Sequence, residues 1–153
     1  MRGEAHDGMW TCPACGRRFA NRNQTHTCRP LHALEDHLAG KPPEIRAIVA
    51  RIIALAERNG PVTVLPEKTR IALQARMSFA ALQPRRAWVD GHVVLARRRE
   101  EPRFRRIESF SPRNHLHAFR IAHPAEVDEE VADWLAEAYA VGQQRHLSPR
   151  RAG

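Results

Sequence analysis

The stretch WVDGHVVLARRREEPRFRRIESFSPRNHLHAFRI, residues 88–121, decides the fold. Short β-branched and aromatic runs alternate in it with turn residues, which is typical of strands joined by short turns. The stretch predicts a hairpin whose turn is Asp90-Gly91, followed by strands over residues 104–110 and 115–121. Because parallel strands need long crossover connections, these short connections favour an antiparallel meander.

Further strands and two helices are predicted on either side of this stretch. Strand signals cover residues 62–65, 69–75 and 79–83. Isoleucines at helical spacing predict a helix over residues 44–59, with Pro43 at its first position. A second helix opens at Pro124, ends at Gly142 and carries acidic residues in its first turns. The fold class is therefore α+β: a small N-terminal zinc knuckle, then an antiparallel sheet of five or six strands flanked by an N-terminal and a C-terminal helix.

The zinc knuckle is predicted from the three cysteines of the chain, which lie in the order C-P-x-C-G and H-x-C. Cys12, Cys15, His26 and Cys28 provide three thiolates and one imidazole, which suit tetrahedral Zn²⁺. A shell of four protein ligands leaves no position for a substrate water, so the ion would be structural. A redox pair and a disulfide are alternatives, but the first lacks a thioredoxin-like context and the second leaves one cysteine unpaired. Three histidines are alternative ligands to His26, namely His6, His32 and His37.

The predicted organisation has four parts. They are a disordered start over residues 1–9, a zinc knuckle with a short helix over 10–40, an α+β domain over 41–142 and a flexible basic tail over 143–153. We expect no membrane span, since the sequence has no long apolar run. The start also lacks the apolar core of a signal peptide, and with zinc-bound thiolates this favours a cytoplasmic location.

Charge is strongly segregated along the chain. The net charge is +8, and arginine far outnumbers lysine. Residues 68–120 contain 13 Lys or Arg and 4 Asp or Glu, whereas residues 121–142 contain 6 Asp or Glu and no Lys or Arg. The basic segment favours a polyanionic partner, although arginine-rich composition alone raises the charge of any protein.

The leading functional hypothesis is nucleic-acid binding through a basic sheet face. Its candidate residues are Arg97, Arg99, Arg103, Arg105, Arg106, Arg113 and Arg120. Odd-numbered members would alternate onto one face, and guanidinium forks suit phosphate oxygens. Trp88, Phe104 and Phe110 could offer stacking surface beside them. The alternative is a solvated face, or pairing of these arginines with the acidic helix.

A second hypothesis is an enzyme or receptor for a small anionic ligand. Its pocket would be lined by arginines with His115 and His117, and His92 and His123 could lie near. The sequence has none of the common phosphate-loop, dinucleotide, nucleophile-elbow or zinc-protease motifs, so no catalytic residue is assigned and no enzymatic activity is expected. A protein-interaction module is the third hypothesis.

A family resemblance rests on two groups of residues. One is the head, with Trp10, the C-P-x-C-G motif, Phe19 and the H-x-C motif; the other is the run 104–121 followed by residues 127–139. Together they resemble bacterial hypothetical proteins that carry a domain of unknown function, distantly similar to YdhG-like α+β domains. The resemblance covers most of residues 10–142 and implies the fold and the pairing of knuckle with domain. It implies no activity, substrate or catalytic residue.

Overall fold

The computed structural model describes residues 10–11, 18–19 and 33–144. The strands are β1 (Trp10–Thr11), β2 (Arg18–Phe19), β3 (Thr63–Pro66), β4 (Ile71–Gln74), β5 (Ser78–Pro84), β6 (Val89–Leu95), β7 (Arg106–Ser111) and β8 (Asn114–Ile121). The helices are α1 (Leu34–Leu38), α2 (Pro43–Glu57) and α3 (Glu129–Gly142), and a short 3₁₀ helix (Pro124–Glu126) precedes α3.

Six strands form one antiparallel sheet in the order β3-β4-β5-β6-β8-β7. The α+β class and the antiparallel sheet are therefore confirmed. β6 pairs with β8 rather than with β7, which follows it along the chain, because residues 96–105 cross one strand position. This connection between β6 and β7 contains five arginines, namely Arg97, Arg98, Arg99, Arg103 and Arg105.

The predicted turn at Asp90-Gly91 is wrong. β6 runs without a break from Val89 to Leu95, and Gly91 lies opposite Leu82 on one side and Phe119 on the other. A Cβ at Gly91 would lie 2.7 Å from the Phe119 ring. The glycine thus makes room for an aromatic side chain on the neighbouring strand, a role that glycine has inside strands as well as in turns.

α2 and α3 pack together on one face of the sheet. α2 buries its isoleucine stripe, and α3 buries Trp134, Leu135 and Tyr139. α3 starts later than predicted, because Pro124 opens only the 3₁₀ turn and Asp128 caps α3 through its bond from the Val131 amide. The Tyr139 hydroxyl donates to the Pro61 carbonyl at 2.9 Å, over Gly60, whose φ of +140° suits glycine.

Among the described residues, the two faces of the sheet differ in their cover, since α2 and α3 both pack on one face. Leu82, Val93 and Phe119 belong to the core beneath the helices. The side chains of the alternate residues point to the opposite face, since strand side chains alternate. We call this second side the open face, and its register partners include Ala81, His92 and Ala118.

The predicted knuckle lies mostly outside the described residues. β1 and β2 pair antiparallel, with Trp10 opposite Phe19, so they bracket Cys12 and Cys15. The predicted metal ligands, the predicted disordered start and residues 145–153 are not among the described residues. The buried Gln74 side chain donates to the Arg18 carbonyl at 2.7 Å and so links β2 to β4. Within the described ranges, no helix has the length and apolar character needed to span a bilayer.

Candidate anion-binding site

The open face contains a concave pocket of about 430 Å³. Its floor is formed by Ala81, His92 and Ala118, which are direct partners across β5, β6 and β8. The two alanines on either side of His92 are short, while the neighbouring residues are longer. The depression therefore follows from small side chains in the middle of the face.

Arginines surround this floor, and we call the site the arginine pocket. The cationic members are Arg70, Arg85, Arg105, Arg106 and Arg120, and Asp90 is the acidic residue that lines it. They reach the pocket from both sides of His92, since Arg70 precedes β4 and Arg106 begins β7. A concave site with this excess of guanidinium groups favours anions.

Asp90 fixes two of these arginines. Its carboxylate accepts hydrogen bonds from Arg120 at 2.8 Å, from Arg85 at 3.2 Å and from the Trp88 indole at 3.1 Å. Partial burial alone would raise the pKa of Asp90, but these hydrogen bonds outweigh it and hold that pKa below its usual value. Asp90 is thus ionised at neutral pH and already accepts three hydrogen bonds, so it orients the guanidinium groups.

Trp88 supports the same side of the pocket. The Arg120 guanidinium lies 4.2 Å from the centroid of the Trp88 ring. This stacking and the bond to Asp90 hold Arg120 from two directions. Further donors of its fork remain for a ligand, since an arginine side chain carries five N–H groups.

The remaining arginines are held to different degrees. Arg70 pairs with Glu67 at 2.9 Å, and Arg106 pairs with Glu108. The Arg105 guanidinium has no ion-pair or hydrogen-bond partner in the part of the chain that the structure describes, and the residue is exposed. Arg105 is therefore the guanidinium most available to an incoming anion.

His92 faces the pocket as a neutral imidazole. Burial, and then the charges of Arg70 and Arg106, lower its pKa to about 4, while Glu108 acts weakly in the other direction. No hydrogen bond joins the ring to another described residue. Its ring nitrogens are thus available to a ligand, one as a donor and one as an acceptor.

Three of the predicted binding arginines lie on the helix side instead. Arg97 pairs with Glu137 at 2.8 Å, and Arg99 pairs with Glu137 at 2.7 Å and also with Glu101. Arg103 contacts Asp128 at 3.1 Å and Glu130 at 3.0 Å. The structure therefore does not bring these three together with Arg105. The alternation expected of them fails because they lie in the connection 96–105, not in a strand.

These helix-side arginines attach the connection to α3. Arg103 also donates to the Glu126 carbonyl at 2.7 Å and lies 5.0 Å from the centre of the Trp134 ring. The Trp134 indole donates to Glu101 at 3.2 Å. Burial alone would raise the pKa of Glu101, but the hydrogen bonds with Arg99, Glu130 and Trp134 and the charge of Arg99 together outweigh it and lower that pKa. For these residues, pairing with the acidic helix is the alternative that the structure supports.

The predicted histidine pair faces the helix side too. His117 is fully buried; its ring accepts from the Arg99 amide at 2.9 Å and donates to the His115 carbonyl at 2.9 Å. His115 is bound by Ser109 at 2.8 Å and by the Pro112 carbonyl at 3.0 Å. Neither residue lines the arginine pocket, because odd positions of β8 face the core. The histidine that lines the pocket is His92, whose partner on β8 is Ala118.

The aromatic candidates have three different surroundings. Trp88 supports the pocket, as described above. Phe104 packs on the helix side, 4.4 Å from Trp134 between ring centroids. Phe110 is 65% exposed, beside the turn that carries the exposed Arg113. Only Trp88 is therefore associated with the arginine pocket.

Three of the predicted arginines line the pocket, namely Arg105, Arg106 and Arg120, but the sequence did not single out its other charged residues. Arg70, Arg85 and Asp90 were not candidates, and His92 was mentioned only as a neighbour of the other histidines. The useful signal is the alternation of side chains along a strand. Even-numbered residues of β8, such as Ala118 and Arg120, share one face, and odd-numbered residues, such as His117 and Phe119, share the other. This alternation shows which residues lie next to His92 only once the register between β8 and β6 is known.

No cluster of three or more potential metal-ligating His, Cys, Asp or Glu side chains occurs among the described residues. The sequence-predicted ligands Cys12, Cys15, His26 and Cys28 lie outside them. The zinc site is thus a prediction that rests on the donor set.

The fold and the pocket define an α+β domain with a cationic concavity on its open sheet face. The family model described as "Domain of unknown function (DUF5655)" matches residues 34–142. The chain belongs to this family, which confirms the expected domain of unknown function. No curated protein and no solved structure matches the chain.

Proposed function

We propose that the protein binds a small, phosphate-bearing anionic ligand in the arginine pocket. The observation that carries the proposal is a cavity of about 430 Å³ whose walls hold five arginines around a floor of two alanines and a neutral histidine. Such a volume falls in the range of small-molecule sites. The sequence hypothesis placed His115 and His117 in the pocket, whereas the histidine that lines it in the structure is His92.

The preorganisation of the arginines supports binding rather than a merely solvated surface. Arg85 and Arg120 are held by Asp90, and Arg120 also by Trp88. Guanidinium groups fixed in this way lose little rotamer entropy when they meet an anion. Arg105 has no competing carboxylate among the described residues. The pocket is thus both ordered and positively charged.

The test uses pyrophosphate as a probe and NMR titration as the readout. Wild type should show saturable shifts at the Ala81, His92 and Ala118 amides. Ala118→Leu fills the floor from the open face and should weaken binding at least about tenfold, since the anion loses contact with the fixed arginines. Its free energy of unfolding, measured in urea, should stay within about 1 kcal/mol of wild type because the position is not in the helix-side core.

The matched control is Arg58→Gln, which also changes one residue but lies at the end of α2, on the helix side. Arg58 makes only a long, exposed pair with Glu129 at 3.5 Å. Pyrophosphate affinity should remain within about twofold in this variant. Equal weakening in Arg58→Gln and Ala118→Leu, or no saturable shifts in wild type, would contradict the pocket.

Nucleic-acid binding is the second candidate function. It is favoured by cationic and aromatic groups beyond the pocket, namely the exposed Arg86, Arg113 and Phe110. A strand that follows them would contact several phosphates, and affinity for single-stranded DNA would rise with oligonucleotide length and fall steeply with salt. Fluorescence anisotropy with 5- and 20-nucleotide DNA at two salt concentrations separates this candidate from a small ligand, whose affinity would not depend on length.

A structural Zn²⁺ held by Cys12, Cys15, His26 and Cys28 remains part of the proposal. It is supported by the donor set and by the β1–β2 pairing, which brackets the first two cysteines as in a knuckle. Elemental analysis of protein purified under reducing conditions should give one zinc per chain, and Cys15→Ser should lower the content strongly. Wild type without zinc after incubation with ZnCl₂ would contradict the site.

A further inference from the structure

Resting on the proposed function, we infer that the arginine pocket selects a dianionic phosphate monoester and that His92 takes up a proton when this ligand binds. The inference concerns the kind of anion and the response of the site to pH. It follows from the position of His92 among the arginines.

The geometry favours an anion that offers oxygens in several directions. Arg70 and Arg85 approach from the β4–β5 side, whereas Arg105, Arg106 and Arg120 approach from the β7–β8 side. A carboxylate is flat and presents one edge to a guanidinium fork. A phosphate monoester has three free oxygens and can meet forks from both sides as well as the floor. A phosphodiester has only two free oxygens and a single charge.

His92 lies where such an oxygen would approach the floor. It is the only polar residue in the paired row Ala81, His92, Ala118, and its ring has no hydrogen-bond partner among the described residues. A neutral imidazole can donate one hydrogen bond to an oxyanion. A protonated imidazole can also donate and adds an opposite charge beside the ligand.

The free pocket opposes protonation. The positive groups around His92 are Arg70 beside β4, Arg85 after β5, Arg105 before β7, Arg106 on β7 and Arg120 on β8. The negative groups are Asp90 on β6 and Glu108 on β7. Burial and the nearby arginines together lower the pKa of His92 to about 4. A bound dianion adds two negative charges among these groups and raises that pKa again, so binding and proton uptake are coupled.

The sign of the pH effect follows from this coupling. Above the pKa of the bound state, His92 is neutral with and without ligand, and affinity does not depend on its proton. As pH falls below that value towards 4, the bound state gains a proton that the free state lacks, so affinity rises. If the bound imidazole titrates near its ordinary pKa of 6.5, the gain in affinity between pH 7 and pH 5 is about twentyfold.

The first experiment measures sulfate affinity by NMR titration at pH 7 and pH 5. Sulfate remains a dianion over this range, so the ligand itself does not titrate. Wild type should bind about twentyfold more tightly at pH 5, whereas the affinity of His92→Gln should change less than about twofold. In parallel, the His92 ring resonances should titrate at a higher pH with saturating sulfate than without it.

The second experiment compares methyl phosphate with dimethyl phosphate at pH 7. We expect the monoester to bind at least about tenfold more tightly, since it has one more charge and one more free oxygen. A 5′-phosphorylated dinucleotide and its unphosphorylated twin extend the comparison to nucleic-acid ends, where preference for the phosphorylated form supports the same ligand class.

The outcomes separate this inference from the proposed function. Sulfate affinity that is equal at both pH values, or equal affinity for the two methyl esters, overturns the inference while the anion pocket stands. A response to pH that persists unchanged in His92→Gln also overturns it. Absence of binding by sulfate, methyl phosphate and pyrophosphate overturns the pocket and the inference together.

Discussion

Two groups of arginines that are neighbours in sequence serve different ends in the structure. On the helix side, Arg97, Arg99 and Arg103 are bound by carboxylates of α3 and of their own connection. On the open face, Arg105 and the arginines around His92 surround a concave floor. The first group holds residues 96–105 against the core, and the second lines the pocket for which we propose an anionic ligand.

The difference shows why local charge is a poor guide to a binding face. The sequence has a basic segment followed by an acidic helix. In the structure, three arginines of the basic segment pair with carboxylates of that helix, so part of the positive charge is neutralised. What distinguishes the groups is which acidic residues pair with them. The helix-side arginines pair with carboxylates of α3 and of residues 96–105, whereas the pocket arginines pair only with carboxylates beside the pocket, and Arg105 pairs with none among the described residues. Variants of the helix-side arginines should therefore lower stability, whereas variants of the open-face arginines should weaken anion binding.

The largest effect is expected from Arg99→Ala. Arg99 is only 18% exposed and lies between Glu101 and Glu137, so its removal leaves Glu101 without its ion-pair partner and leaves Glu137 with Arg97 alone. We expect the free energy of unfolding to fall by about 2–3 kcal/mol, measured in urea. Arg105→Ala is the matched open-face variant and should change it by less than about 0.5 kcal/mol. Similar losses in both would remove the distinction between the two groups.

Gly91→Ala should give the next largest effect, because Gly91 lies directly opposite Phe119 on the neighbouring strand. Its new methyl group would approach the Phe119 ring at 2.7 Å and the Ala81 carbonyl at 3.1 Å. The ring would have to shift towards Trp134, and we expect a loss of about 1–3 kcal/mol in thermal or urea unfolding. A variant as stable as wild type would show that Phe119 can move freely, contrary to its packing in the core.

The pH dependence of stability offers a smaller effect on the open face. Because the folded pKa of His92 is depressed to about 4 from 6.5, the unfolded chain binds more protons between these values. Stability contributed by neutral His92 is complete above pH 6.5 and is lost as pH falls towards 4. Urea unfolding should therefore show a shallower decline over this window in His92→Gln than in wild type, and an unchanged decline would contradict the buried neutral imidazole.

The smallest effect is expected from Arg97→Gln. Arg97 pairs with Glu137, but its side chain is 60% exposed, so solvent screens the pair. The free energy of unfolding should change by less than about 1 kcal/mol, and pyrophosphate affinity by less than about twofold. A large loss of anion binding in this variant would restore Arg97 to the binding surface that the sequence predicted.

The sequence predicted the elements of the fold better than the location of the site. Apolar spacing indicated α2, α3 and most strands, because core-facing residues repeat with the period of each element. It failed at Gly91, where a turn-like dipeptide lies inside a strand because Phe119 needs the space. The pocket depends on which residues pair across β5, β6 and β8, and this register is set by the whole sheet. For that reason His117 and His92 could not be assigned to their faces from spacing alone.

The most direct test of the central claim is an amide NMR map of wild-type protein titrated with methyl phosphate. We expect the shifts to centre on Ala81, His92, Arg105 and Ala118, on the open face, and to leave α3 unchanged. Shifts centred instead on Arg97, Arg99 and the amides of α3 would show that the helix-side arginines bind the anion, and would contradict the account.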